Sequence, residues 1–346
     1  MIKKFTIVTW ALLLAAVVAV TGCPQPAEPV EPADFYRGKT VDLINCAQPG
    51  RHADLLTHII GSYLARDTGA NVTVTTKVGA GGVEGMNYIY KAKPDGLTLG
   101  TASSGQIVPN KLFDEPAAAY KIEEFTYIMS ESRFQYYFLI SPQGPCQSIA
   151  DLQATPNLKI GAGTPSGAFC LGSLLIIKLL DLDAKVVTGI IGDSDRALAV
   201  DRGELIGYLS NTIGAKASVE AGLVKPMFML TTERDPFVPD VPSITELVDF
   251  SQEDLTLVKL WETTFFHSVL LVAPPGIPED RRDFLLDLAN QWVQEEGFRE
   301  EVNAVIGEEV KTYLIGEEAT ETMLQLSAAL SELQPIFTDL LEKYRA

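Results

Sequence analysis

Histidine is nearly absent, with three in 346 residues. His52, His58 and His267 stand far from any useful cysteine spacing, and no CxxC pair occurs, which argues against a structural metal. No Walker loop and no GxSxG elbow are present, so neither phosphoryl transfer nor an α/β-hydrolase nucleophile has its usual setting. Basic residues are outnumbered 27 to 45, for a net charge of −18, which excludes a nucleic-acid partner. Past the first twenty-odd residues no apolar stretch has the length of a membrane span. The runs at 174–182 and 268–275 suit buried helices or strands.

The amino terminus is the exception. Met1-Ile2-Lys3-Lys4 precedes an apolar run from Phe5 to Val20, then Thr21, Gly22 and Cys23. A charged start, a short apolar run and small residues before a stop mark residues 1–22 as a signal peptide. Residues 24–34, PQPAEPVEPAD, favour extended, solvated chain, so residues 23–34 read as a linker and the folded part starts near Phe35. Losing Lys3 and Lys4 makes the remaining chain more acidic still. Hydrophobic residues make up 47% and charged ones 21%, enough to bury a large core, and the length suggests two domains. Beyond Cys23 the chain keeps Cys46, Cys146 and Cys170. Buried thiols are the favoured reading, with one disulfide left open.

The periodicities alternate. Residues 41–45 read as a strand, 54–67 as a helix with Asp54 as N-cap, 71–76 as a strand, 84–91 as a helix and 97–102 as a strand. The pattern resumes with strand 159–162, helix 168–180, strand 185–188, helix 194–202 and strand 205–209. Strands at 227–230 and 268–272 follow, then helices at 279–295, 297–305 and 317–344. The last carries an apolar stripe of Met323, Leu326, Leu330, Leu333, Phe337 and Leu341, read as core. The fold class is therefore α/β, with a mostly parallel sheet in each of two lobes.

Ligands of open parallel sheets sit outside the strand carboxyl ends, and glycine-rich loops lie there. The first half offers 47–54, with Gln48, Gly50, Arg51 and His52; 78–85, with Gly79, Ala80, Gly81 and Gly82; and 102–105, with Ser103 and Ser104. The second half offers 161–167, with Thr164 and Ser166, and 192–194, with Gly192 and Asp193. Glycine lets backbone N–H groups approach a ligand, and a helix N-terminus carries about half a positive charge, so such loops can hold a carboxylate. The GxGxxxG spacing of both glycine runs departs from the dinucleotide fingerprint, and no cofactor is implied. Asn211, after a strand end, can donate and accept. Asp193 and Asp195 favour a helix start or an ammonium group. Phe169, Tyr208 and Trp261 fit core positions better than a cleft wall.

Together, the proline-glycine loop with its following Asp54, the Gly79-Ala80-Gly81-Gly82 turn, Pro94-Asp95-Gly96-Leu97-Thr98-Leu99, Asp240-Val241-Pro242-Ser243 and Ala273-Pro274-Pro275-Gly276-Ile277-Pro278 resemble the substrate-binding proteins of tripartite tricarboxylate transporters, the Bug receptors. Val20-Thr21-Gly22-Cys23 likewise resembles a lipoprotein lipobox, which implies acylation of Cys23 and a membrane-anchored, extracytoplasmic chain; a plain cleaved signal is the alternative. The family resemblance implies two lobes, 35–137 plus 268–346 and 138–267, crossing near 137–141 and 264–272. They close like a flytrap on a small organic acid, which passes to a large and a small membrane subunit, with no catalysis and a monomeric receptor. By position it assigns the carboxylate to Gln48, Gly50, Gly79 to Gly82, Ser103 and Ser104, and to Thr164, Ser166 and Gly192 opposite. Arg51 and His52 replace glycines of that pattern and either meet a second carboxylate or face solvent. Two rivals remain: a secreted hydrolase using Ser104 or Ser166 with His52 or His267, and a sensor subunit for a membrane kinase.

Overall fold

The computed structural model describes residues 32–344, apart from Arg51, 105–106, 109–110, 112–116, 133–134, Ser166, 236–237, 266, 307–309 and 311. The residues read as a signal peptide, Cys23 and most of those read as a linker therefore lie outside the described residues, and the linker reading ends too late, because Pro32 to Asp34 already belong to a short helix.

Among the described residues the strands form two sheets. The first carries β1 (Thr40–Asn45), β2 (Asn71–Thr76), β3 (Thr98–Ala102), β4 (Thr126–Ser132), β10 (His267–Ala273) and β11 (Thr312–Ile315), in the order β11-β4-β10-β3-β1-β2. The second carries β5 (Tyr136–Ile140), β6 (Leu158–Gly161), β7 (Ala184–Val187), β8 (Gly207–Asn211) and β9 (Lys225–Met229), in the order β7-β6-β8-β5-β9. Both sheets are mixed. β2, β1 and β3 run parallel, as do β7, β6 and β8, while β10 and β5 run against them. The parallel half of each sheet is the half whose loops the sequence marks.

The helices are α1 (Pro32–Tyr36), α2 (His52–Thr68), α3 (Val83–Lys91), α4 (Ile149–Ala154), α5 (Ala168–Leu179), α6 (Asp193–Asp201), α7 (Thr212–Glu220), α8 (Gln252–Phe265), α9 (Glu279–Gln294), α10 (Glu296–Ile306) and α11 (Glu317–Tyr344). α2 buries Leu56, Ile60 and Leu64 against its sheet, each contributing about 1.5–3 kcal/mol before entropy is charged. At Gly61 a Cβ would make ordinary contact with Leu43 and Val74 at 3.5 Å, so the helix lies at normal packing distance from the sheet there. The stripe of α11 is core as its spacing predicts. Met323, Leu326, Leu330, Leu333 and Phe337 join the same buried cluster as Ile44 and Leu270 of the first sheet and Phe138 and Leu209 of the second. α11 also packs on α5 and α8 as well as on β4, so it spans both bodies.

The chain passes between the sheets twice, from β4 to β5 and from α8 to β10. Of the residues read as the first crossing, near 137–141, all but Ser141 lie within β5, between β8 and β9 of the second sheet. Both passages leave and enter at the same place in each sheet. β4 ends at Ser132, opposite the start of β10, and β5 starts at Tyr136, opposite the end of β8 at Asn211. The carboxyl ends of the two parallel sets thus lie at the crossing.

Candidate functional site

On the first sheet, β1 runs into Cys46-Ala47-Gln48-Pro49-Gly50, whose last three residues are exposed. Gly50 has φ +76°, a conformation that glycine adopts without a Cβ penalty. The helix starts at His52, two residues before its expected cap, so Asp54 lies in the first turn and its carboxylate reaches backward. It accepts from Gly50 N–H (2.8 Å) and Asn45 Nδ2 (2.6 Å). The residue is 6% exposed, and its charge is spent on the loop rather than on a ligand. His52, read as a ligand residue, turns inward: its Nε2 lies 2.7 Å from Glu131 Oε2, with both side chains almost fully buried. Arg51 is outside the described residues.

β2 runs into Gly79–Gly82, a tight turn with three successive left-handed residues: Ala80 (φ 51°), Gly81 (φ 65°) and Gly82 (φ 95°). Ala80 and Gly81 are exposed, Gly79 is half-buried and Gly82 is buried at the start of α3. Open space surrounds Gly81, where an added Cβ would meet nothing within 4 Å. Below the turn, Cys46 Sγ packs against Gly85, and burial pushes the thiol up to about 12, so it is a neutral packing group at neutral pH. Beyond β3, Ser103 is half-buried and its carbonyl accepts from Ile107 N–H (3.0 Å), while Ser104 is fully buried.

On the second sheet, β6 leads into a loop whose Thr164 is exposed and accepts through its carbonyl from Gly167 N–H (3.2 Å); Ser166 is outside the described residues. Gly192 caps α6, and its carbonyl accepts from Arg196 N–H (3.1 Å). Asp193 is held by Ser210 Oγ and by Arg196 Nη2, the latter at 2.7 Å. Asn211, expected beside the ligand, spends its Oδ1 on Gly214 N–H (2.8 Å) and caps α7. Tyr208 and Trp261 are core, at 0% exposure.

Arg196 went unnoticed in the sequence. It is fully buried, donates from Nη1 to the carbonyls of Ile190 (2.8 Å) and Ile191 (3.0 Å), and lies between the rings of Phe169 and Tyr208. The guanidinium pulls two carbonyls inward and so fixes the loop before Gly192. The Asp193-to-Arg196 spacing of one helical turn was the available signal. Glu131, Gln135 and Asp235, all buried at or near the crossing, gave none, because their partners are remote in sequence.

Two edges rich in backbone donors, five helix starts (α2, α3, α5, α6 and α7) and few uncompensated charges are an arrangement that can hold a small polar anion, and among the described residues no nucleophile is arranged. Among the described residues no group of three or more His, Cys, Asp or Glu is placed to hold a metal. Residues 58–280 match the sequence model of the tripartite tricarboxylate transporter family receptor. The chain belongs to this family. Receptors of the family are extracytoplasmic substrate-binding proteins, not enzymes. BugT of Bordetella pertussis is 24% identical over 244 residues, covering 68% of this chain and 73% of that protein. The fold matches those of MatC from Rhodopseudomonas palustris, solved with malate (TM-score 0.61, 22% identity, 88% of this chain and 99% of that one), and another R. palustris protein solved with adipate (0.66, 17%, 89% and 99%). It matches a receptor of the family from Polaromonas too (0.67, 15%, 89% and 99%).

Proposed function

We propose that this chain captures a small organic carboxylate between its two sheets and delivers it to the large and small membrane subunits of a tripartite transporter. The observation that carries the reading is the convergence of glycine-rich and helix-initial loops from both sheets at the double crossing. A ligand held by backbone N–H groups of both edges binds the closed arrangement more tightly than the open one, and so shifts the population toward it. Gly79 to Gly82, Gln48, Gly50 and Ser103 supply the first edge, Thr164 and Gly192 the second. The malate and adipate of its structural relatives support a ligand of that class. A mature chain acylated at Cys23 holds the monomeric receptor at a membrane surface on the slack of residues 24–34.

The test is a thermal-shift screen of the chain against organic acids. A ligand at about a hundred times its Kd stabilises by about 2.7 kcal/mol. We expect a shift with at least one di- or tricarboxylate, lost in Gly81→Val, whose side chain would project into the open space of the turn. Silence across the whole set, with the protein folded and freed of carried-over ligand, would sink the reading.

A further inference from the structure

Gln135 is the first described residue after the crossing from the first sheet, and it is 5% exposed. Its Nε2 donates to Oδ2 of Asp235, itself 5% exposed. That bond fixes the amide, because the flipped form would set Oε1 against a carboxylate with no proton between them. Oε1 is thereby turned away from Asp235, shielded from solvent and without a hydrogen-bond partner.

A second orphan lies on the neighbouring backbone. Tyr136 stands opposite Asn211 in the antiparallel pair, and Thr212, the first residue of α7, donates its N–H to the Gln135 carbonyl (3.1 Å), so the two residues are joined through the main chain. The Thr212 hydroxyl is also buried without a partner. Buried polar atoms are nearly always satisfied, and an exception calls for an explanation such as a missing water or ligand. Here two exceptions sit at the carboxyl edge of the second sheet, where the proposed ligand lies. An amide oxygen only accepts, and the Asp235 carboxylate on the far side of the amide polarises it into a stronger acceptor.

We propose that Gln135 Oε1 and Thr212 Oγ1 read a hydrogen-bond donor on the ligand, a hydroxyl or an ammonium group, and so select substituted acids over plain ones. The inference rests on the receptor reading above. It also fits the second edge, where Asp193 and Asp195 already occupy the first turn of α6 and leave a carboxylate better placed on the glycine loops of the first sheet.

The experiment is calorimetric titration of the whole chain with three matched series: succinate, malate and aspartate; glutarate, 2-hydroxyglutarate and glutamate; adipate, 2-hydroxyadipate and 2-aminoadipate. We expect the hydroxy or amino member of at least one series to bind about tenfold more tightly than its plain counterpart, as one added charge-assisted or neutral hydrogen bond to a buried acceptor would give. The member with the larger gain tells hydroxyl from ammonium. Thr212→Val and Gln135→Met should each lower the ratio of substituted-acid to plain-acid affinity. Should Gln135→Met fail to fold, Thr212→Val decides, since it removes only an unpartnered hydroxyl. Equal affinity for plain and substituted members, or a gain that survives in Thr212→Val, overturns this inference and leaves the receptor reading intact. No binding by any of the nine acids overturns this inference, and the receptor reading then falls only if the wider thermal-shift screen is silent as well.

Discussion

At the scale of single residues, an acid beside an anion site is tolerable only when its lone pairs are already filled. Asp54 meets that condition by accepting from Gly50 N–H and Asn45 Nδ2, and in doing so it fixes the Pro49-Gly50 turn. Asp54→Ala therefore leaves two buried-side donors without their acceptor. We expect a loss of about 2 kcal/mol in chemical denaturation, together with weaker ligand binding; an unchanged midpoint would show that the turn holds without the carboxylate. Asp193 is compensated in the same way by Ser210 and Arg196. His52 shows the converse case. Its position in a ligand loop was plain from the sequence, but its direction was decided by Glu131, 79 residues away.

At the scale of elements, the loops were legible because glycine marks its own backbone demands. Gly85 makes the point: an added Cβ would lie 2.6 Å from Cys46 Sγ and 2.7 Å from the Lys77 carbonyl oxygen, and the carbonyl, part of the β2–α3 connection, has little room to give. Gly85→Ala should destabilise by about 1–3 kcal/mol, read as a lowered Tm; an unaltered Tm would mean that α3 can slide on its sheet. Helices α9 and α11 and strand β2 were equally clear, since each carries one unbroken period. Strands β4 and β11 and helices α1, α4, α7 and α8 were missed. Near its end β4 carries Ser130 and Glu131, which are buried at 1% and 2% but break the apolar run that announces a buried strand, and β11 is only four residues with none buried. β8 was placed two residues early, because Leu205 and Ile206 look more like a strand than Ser210 and Asn211 do. Hydropathy reads what a side chain prefers, whereas these positions were decided by partners brought in from elsewhere in the chain.

At the scale of the whole molecule, the order of elements was enough for the architecture of two α/β bodies, and family membership gives it a task. The candidate site was legible only in its loops, while the buried groups behind them, Arg196, Gln135 and Asp235, were not. If Cys23 is the acylated first residue of the mature chain, Cys23→Ser should move the protein from the membrane fraction to the soluble extracytoplasmic fraction without altering its ligand affinity. Persistence of the variant in the membrane fraction would rule out that anchor. The dependence of both bodies on α11 has one further consequence. The core that Ile44, Phe138, Leu209 and Leu270 share is completed only by residues 319–340 of a helix at the end of the chain. Without that helix, apolar faces of both sheets would be uncovered, so the stabilities of the two bodies are tied together through one shared element.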